Sequence, residues 1–292
     1  MPDQQQRPFS IRIFVPDGDP DGLRVVEKSN WTGVGIVFRR TNYKEAAKRD
    51  EFLKTGVYIL VGSSEESSLP TVYIGEGDPV KGRLDSHYSK KDFWDWAVFF
   101  VTKDSSINKA HVKHLESRLL ELAGDAKQCK LDNTQSSLSP SLSEAETADM
   151  ESFLSDMLSI FPLLGLNVFE TVESKATPDN LLFINAKGIS ASGYEDAKGF
   201  VVCKGSQMVK KELPTIHNYM IVSRKDLLEQ GVVEDSGASY VFTQDRVFGS
   251  PSTASGVLLG RADNGRTTWK TKDGTTLKAL QTASAKSGGE DV

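Results

Sequence analysis

The chain has 292 residues, with 35 Lys and Arg against 40 Asp and Glu, which gives a formal net charge of -5. Its two cysteines, Cys129 and Cys203, are too few for a disulfide framework or a cysteine-based zinc site. No run of about 18 apolar residues indicates a membrane span, and the first residues lack the apolar stretch of a secretory signal. We therefore expect a cytoplasmic protein that does not associate with a membrane and is long enough for two modest domains.

A β-hairpin is the first clear element. Residues 56–62 and 71–75 are rich in β-branched and aromatic side chains, and the polar segment 63–70 between them is typical of a turn. Because alternate side chains of a strand share a face, Tyr58 and Tyr73 are expected together on the face opposite the valines and isoleucines. Residues 93–101 predict a third strand.

A helix over residues 108–124 carries an acidic side chain at the border of its apolar face. The apolar positions that recur at helical spacing are Val112, Leu115, Leu119 and Leu122. Glu116 lies about 40° from Val112 around the helix. A carboxylate there is partly desolvated, which is costly unless a cation or hydrogen-bond donors accompany it. A divalent metal would meet that need.

Arg83 and His87 complete a set of residues suited to phosphodiester chemistry. They are four residues apart, so one helix face would present both. With Tyr58, Tyr73 and Glu116 they combine a proton acceptor, a cation for a phosphate and a carboxylate for a divalent metal. Each residue alone has an ordinary explanation in packing or solvation. The ordered set favours the functional interpretation.

These motifs resemble those of the GIY-YIG nuclease superfamily over residues 50–135. Tyr58 matches the tyrosine of the first signature, here Gly-Val-Tyr, and Tyr73 that of the second, Tyr-Ile-Gly. Arg83 matches the family's arginine, and His87 a histidine present in some members. Glu116 matches the metal-binding glutamate. The resemblance implies an α+β fold in which a small antiparallel sheet is flanked by helices.

The resemblance also implies a role for each residue. Tyr58 would be the general base, Tyr73 and Arg83 would hold and polarise the phosphate, and Glu116 would bind one Mg²⁺ or Mn²⁺. Asn133 is our candidate for the asparagine that often follows the glutamate and supports the metal's surroundings. Mg²⁺ suits a single carboxylate because it keeps much of its hydration shell.

The identity of the base is open at this point. A free tyrosine has a pKa near 10, so Tyr58 would be a poor base near pH 7 unless Arg83 or the metal lowered that pKa. His87, with an ordinary pKa near 6.5, is the rival. The alternative to an endonuclease is a non-catalytic nucleic-acid-binding or scaffold protein that retains the fold.

The predicted organisation has five parts. Residues 1–49 form a β-rich extension like that of a bacterial GIY-YIG subfamily, and 50–135 form the nuclease-like domain. Residues 136–185 contain a linker and an acidic amphipathic helix, 186–281 form a separate α+β domain that resembles a domain of unknown function appended to that subfamily, and 282–292 form a disordered tail.

Smaller predictions concern the second half of the chain. Residues 134–143 read as a flexible linker, and the apolar stripe of the helix over 144–161 is expected to pack within its own chain. A homodimer through that helix or through the C-terminal domain is the second alternative. In the C-terminal domain, residues 199–203 and 239–243 predict strands and 226–231 a short helix.

The charge distribution bears on the expected partner, which is nucleic acid, with DNA favoured over RNA. Residues 136–198 carry 3 basic against 10 acidic side chains, whereas residues 38–54 carry 6 against 3. A basic stripe is therefore predicted in the first half of the chain. Its members are Arg39, Arg40, Lys44, Lys48, Arg49, Lys81, Arg83, Lys90 and Lys91.

Overall fold

The computed structural model describes residues 8–133, 140–172 and 174–287. These residues form two compact units. The first comprises the described parts of Met1–Ser64 and Leu69–Thr171, and the second comprises Glu65–Ser68 and the described part of Val172–Val292. Both mix helices and strands, so the predicted α+β class is confirmed at that level.

A seven-stranded sheet forms the centre of the first unit. Its strands are β1 (Ile11–Phe14), β2 (Arg24–Lys28), β3 (Gly33–Arg39), β4 (Gly56–Gly62), β5 (Thr71–Gly77), β6 (Trp96–Thr102) and β7 (Lys130–Leu131). They lie in the order β1-β2-β3-β6-β4-β5-β7, and all neighbours are antiparallel except β5 and β7. The predicted hairpin is β4 and β5, and the predicted third strand is β6, which begins at Trp96 rather than at residue 93.

Four α-helices accompany this sheet: α1 (Tyr43–Ala46), α2 (Val80–Lys90), α3 (Lys109–Ala126) and α4 (Glu144–Ile160). Short 3-10 helices lie at Arg40–Asn42, Asp50–Leu53 and Phe161–Leu164. The two long helices start at capping boxes, in which the side chains of Asn108 and Ser143 accept hydrogen bonds from the first turn. Helix α3 therefore begins where its predicted counterpart does and ends two residues beyond Gly124.

Both faces of the sheet are covered, so β4 is buried along its whole length. Val57 and Ile59 belong to a core cluster that includes apolar residues of α3 and α4. Tyr58 and Leu60 belong to a second cluster on the other face, and Tyr73 packs against that cluster. The prediction that the two tyrosines share the face opposite the valines and isoleucines is confirmed.

The predicted β-rich N-terminal extension contains β1, β2 and β3, and these strands continue the central sheet. β3 pairs along its full length with β6, and Phe38 and Phe52 are buried in the same cluster as Tyr58. The compact unit thus runs across the predicted boundary at residue 49.

Helix α4 buries its apolar stripe in the first unit. Met150, Phe153 and Met157 belong to the cluster that contains Val112 and Leu119 of α3, so packing within the chain, the first of the two alternatives, is what the structure has. The linker was predicted over residues 134–143, of which residues 134–139 lie outside the described part of the chain. Ser143, the last residue of the predicted linker, caps α4. Among the described residues, no helix combines the length and apolarity that a membrane crossing needs.

The second unit contains two small antiparallel sheets. One has the order β14-β10-β9-β8 and the other the order β11-β13-β12. The strands are β8 (Leu182–Ala186), β9 (Ile189–Asp196), β10 (Gly199–Val202), β11 (Gln207–Val209), β12 (Val233–Asp235), β13 (Ser239–Phe242) and β14 (Arg246–Phe248). β10 and β13 confirm the two predicted strands.

The helices of the second unit are α5 (Asn218–Glu229), α6 (Pro251–Leu259), α7 (Gly265–Thr268) and α8 (Leu277–Ser287). The predicted helix over 226–231 is the end of the longer α5, and Gly231 follows it with a φ of 61°. Helix α8 continues to Ser287, so the prediction that 282–292 form a disordered tail is wrong for residues 282–287. Residues 288–292 lie outside the described part.

Candidate active site

The two signature tyrosines meet on one face of the β4–β5 hairpin. Tyr58 is fully buried, and its ring centroid lies 6.2 Å from that of Tyr73. The register places Tyr58 opposite Gly75, and a Cβ added to Gly75 would lie 2.4 Å from the Tyr58 hydroxyl oxygen. The third residue of Tyr-Ile-Gly is therefore glycine because the Tyr58 ring occupies the space above it.

Helix α2 brings His87 to the tyrosine pair. Val80 and Leu84 bury one side of this helix in the core, which fixes its rotation against the sheet. His87 Nε2 then lies 2.7 Å from the Tyr58 hydroxyl oxygen, and the His87 ring centroid is 4.7 Å from that of Tyr73. The imidazole is 8% exposed. Three residues predicted from separate motifs are thus in mutual contact.

Arg83 lies one turn before His87 on α2 and keeps its solvent access. It is close enough to Tyr58 for each to influence the other's pKa. Among the described residues, Arg83 takes part in no ion pair of the first unit. The Arg83 guanidinium also forms a hydrogen bond with Tyr58, and its exposure leaves its other donors accessible to an anion that approaches the tyrosines.

Burial controls the protonation of the Tyr58–His87 pair. Burial raises the pKa of Tyr58 well above its usual value, and the nearby Tyr73 adds to this, whereas Arg83 acts in the opposite direction. Burial also lowers the pKa of His87 to about 4, helped by Arg83 and Lys91. At neutral pH the tyrosine is protonated and the imidazole neutral, and the tautomer of His87 decides which of the two groups donates. The lowered tyrosine pKa that a simple base requires is not present.

Glu116 lies on α3, whose buried apolar residues pack on the face of the sheet opposite to Tyr58. It is half-buried, as expected for a carboxylate at the border of the stripe, and its charge reaches Tyr58, whose pKa it helps to raise. No three His, Cys, Asp or Glu side chains converge as a metal site in the described ranges.

Asn133 lies beside the hairpin and binds its backbone. Its side-chain oxygen accepts from the Ile74 N–H at 3.0 Å, and its side-chain nitrogen donates to the Ile74 carbonyl at 2.7 Å. This amide continues the pairing between β5 and β7 as a third strand residue would. Both ends of the amide are used next to Tyr73, so Asn133 supports the strand that carries this tyrosine.

Two ion pairs at the site were not predicted. Lys91 forms an ion pair with Asp132, and its Nζ lies 4.6 Å from the Tyr73 ring centroid. Lys109 at the start of α3 lies 2.5 Å from a carboxylate oxygen of Glu76. The position of Lys91, four residues after His87, was the sequence signal that could have placed it at the site. In the sequence, Lys91 was otherwise notable only as a member of the predicted basic stripe.

The basic stripe is weaker than its charge count suggests. Most of its members are paired with carboxylates, which are Asp21 for Arg39, Asp92 for Arg40, Glu45 for Lys48, Glu51 for Arg49, Asp85 for Lys81 and Asp132 for Lys91. In the described part of the chain, only Lys44, Arg83 and Lys90 of the stripe have no ion-pair partner. The positive charge of the stripe is thus largely compensated.

The segment from β8 to α8 has a recognised sequence pattern. Residues 182–281 match the family model of a domain of unknown function, DUF4357. The match agrees with the predicted C-terminal domain of unknown function. No GIY-YIG family model matches the chain. Neither the curated proteins nor the solved structures contain a match to it.

Proposed function

We propose that the chain is an endonuclease that hydrolyses phosphodiester bonds, in DNA rather than RNA, with Mg²⁺ or Mn²⁺ at Glu116. The observation that carries this proposal is the 2.7 Å hydrogen bond between the Tyr58 hydroxyl and His87 Nε2, one helical turn from the accessible Arg83. A buried tyrosine hydroxyl needs a hydrogen-bond partner in any case, so the support comes from the kind of partner, a titratable imidazole beside the accessible Arg83. The pair has the arrangement of a base and the group that orients it.

His87 resolves the difficulty that the high pKa of Tyr58 creates. Tyr58 takes a proton from the attacking water as it gives its own to His87, so no free phenolate has to form. The His87 pKa of about 4 is held down partly by Arg83 and Lys91. A bound phosphate offsets these cations and so raises the proton affinity of His87 when substrate is present.

Arg83 and Tyr73 complete the proposed chemistry. Arg83 offers a planar pair of donors to the phosphate oxygens, where charge increases in the transition state. Tyr73 lies beside both Tyr58 and His87 and presents a second hydroxyl to the same side of the hairpin. A Mg²⁺ or Mn²⁺ ion bound at Glu116 would stabilise the negative charge of the leaving oxygen.

The test is cleavage of labelled single-stranded, duplex and branched DNA and RNA with Mg²⁺, Mn²⁺ or EDTA. We expect metal-dependent cleavage of at least one DNA substrate and none by Glu116→Gln. Glu144→Gln, an exposed glutamate at the start of α4, is the matched control and should cleave like the wild type. Binding without cleavage of any substrate would instead support the non-catalytic alternative.

A further inference from the structure

Lys91 extends the row of functional side chains on α2. Arg83, His87 and Lys91 are spaced four residues apart, and Lys91 is the first residue after the helix. At 1.5 Å per residue, Arg83 and Lys91 are about 12 Å apart along the helix axis. Arg83 interacts with both Tyr58 and Tyr73, and Lys91 lies over the ring of Tyr73. The helical spacing separates the two cations at their main-chain attachment, which suits two neighbouring phosphates better than a single one.

Main-chain hydrogen bonds fix the positions of Lys91 and of its ion-pair partner, Asp132. The Lys91 N–H donates to the His87 carbonyl at 2.9 Å, and the Asp132 N–H donates to the Val72 carbonyl at 2.8 Å. The two side chains form an ion pair while 27% and 35% of their surfaces stay exposed. A ligand can therefore reach Lys91 without any change in the main chain.

We propose that Lys91 binds a phosphate adjacent to the scissile one, and that Asp132 limits the affinity by competing for the same ammonium group. This inference rests on the proposed function, because it takes the tyrosine pair as the position of the scissile phosphate. A nucleic-acid strand presents phosphates at regular intervals, so a strand held at Arg83 brings a neighbouring phosphate towards Lys91. That phosphate can replace Asp132 as the anion beside Lys91.

Lys90 provides a matched control. It precedes Lys91 directly and carries the same charge, but it is exposed and has no ion-pair partner among the described residues. General attraction between a basic surface and DNA would affect both lysines alike. Only a phosphate bound at Lys91 itself would make the effects of the two lysines on DNA binding differ.

The experiment measures the Kd of a labelled DNA duplex by fluorescence anisotropy, in EDTA, between about 50 and 200 mM salt. Lys91→Met should weaken binding about 3- to 10-fold and reduce the slope of log K against log salt by about one. Lys90→Met should change Kd less than about 2-fold. Asp132→Asn should tighten binding about 3-fold, because the neutral amide no longer competes with the phosphate.

Because EDTA prevents metal-dependent cleavage, this measurement is independent of whether the chain is a nuclease. Equal effects of Lys91→Met and Lys90→Met, or weaker binding by Asp132→Asn, would overturn the inference while leaving the proposed function intact. In the cleavage assay, Lys91→Met should raise KM by the factor seen in Kd and change kcat much less. A loss confined to kcat would also overturn it, since it would place Lys91 at the reacting phosphate. Far-UV circular dichroism establishes that each variant is folded.

Discussion

Arginines of the two units have opposite surroundings. In the first unit, Arg83 is exposed and has no ion-pair partner among the described residues, although it lies next to the buried Tyr58. In the second unit, Arg224 is 3% exposed and donates to Glu212 and to the main-chain carbonyls of Val209, Lys210 and Val257. The fold uses the donors of Arg224 on a carboxylate and three carbonyls, whereas Arg83 forms a hydrogen bond with Tyr58 and keeps its other donors accessible. The availability of donors, more than burial or charge, separates a candidate site residue from a structural one.

Tyr58 and His87 extend this contrast to buried groups. Their hydrogen bond joins two titratable side chains whose protonation can change together. Arg224 instead donates to main-chain carbonyls at the end of β11 and in α6. A guanidinium also does not lose its proton in a protein. We therefore expect substitutions at the first site to change chemistry and substitutions at Arg224 to change stability.

The largest expected effect is that of Glu116→Gln. The amide keeps the shape of the side chain but loses the charge that would hold Mg²⁺, so cleavage should fall by about 10³-fold or more with little change in DNA affinity. Rates at saturating Mg²⁺ and substrate are the measurement. Full activity of the folded variant would remove Glu116 from the proposed site.

Arg224→Met should destabilise the second unit by about 3 kcal/mol, because Glu212 and several carbonyls lose their donor in a buried place. Calorimetry of the full chain should detect this as a lower midpoint for one transition, and kcat should be unchanged. Arg266→Met, which alters an exposed arginine of the same unit, is the control and should leave the midpoint within about 2 °C. An unchanged midpoint for Arg224→Met would break the contrast between the two arginines.

Arg83→Lys should lower kcat by about 10²-fold, since a lysine is a point charge and cannot reproduce the planar pair of donors. Arg12→Lys, at an exposed position on β1, serves as the control. If the loss appears in KM alone, Arg83 binds the substrate and does not stabilise the transition state.

His87→Ala should cost about 10-fold, less than removal of the Tyr58 hydroxyl, because water can take the place of the imidazole as proton acceptor. The pH dependence gives the sharper readout. In the free enzyme the pKa of His87 is about 4, so wild-type kcat/KM should lose its His87-dependent part as pH falls through that value and the imidazole becomes protonated. The ratio of wild-type to His87→Ala kcat/KM values should be flat from about pH 6 to 8. A step in that ratio near pH 6.5 would contradict the burial of His87.

Local sequence patterns were sufficient to predict part of this site. Strand alternation predicted that Tyr58 and Tyr73 share a face, and helical spacing put Glu116 at the edge of its stripe. The contact between Tyr58 and His87 depends on how α2 crosses the sheet, which no local period determines. Likewise, the pairing of Asn133 with Ile74 requires β7 to return beside β5, a contact between residues 59 positions apart.

Residues before position 50 shape the surroundings of Tyr58. They were predicted to form a β-rich N-terminal extension, and Phe38 and Tyr43 from this segment pack in the cluster that surrounds Tyr58. Their presence helps to bury the tyrosine on the face that would otherwise meet solvent. The sequence left open whether Arg83 or a metal lowers the pKa of Tyr58; burial raises it, and Arg83 only partly opposes this rise. The direction of this shift follows from the tertiary fold.

The central claim is that the Tyr58 hydroxyl takes part in phosphodiester cleavage, and Tyr43 offers a close control. Both tyrosines are buried, and each hydroxyl makes a 2.7 Å hydrogen bond to a side chain of α2, His87 for Tyr58 and Asp85 for Tyr43. In single-turnover cleavage of DNA, Tyr58→Phe should be slower than the wild type by about 10²-fold or more, and Tyr43→Phe by less than about 3-fold. Equal rates for the wild type and a folded Tyr58→Phe would contradict the proposal.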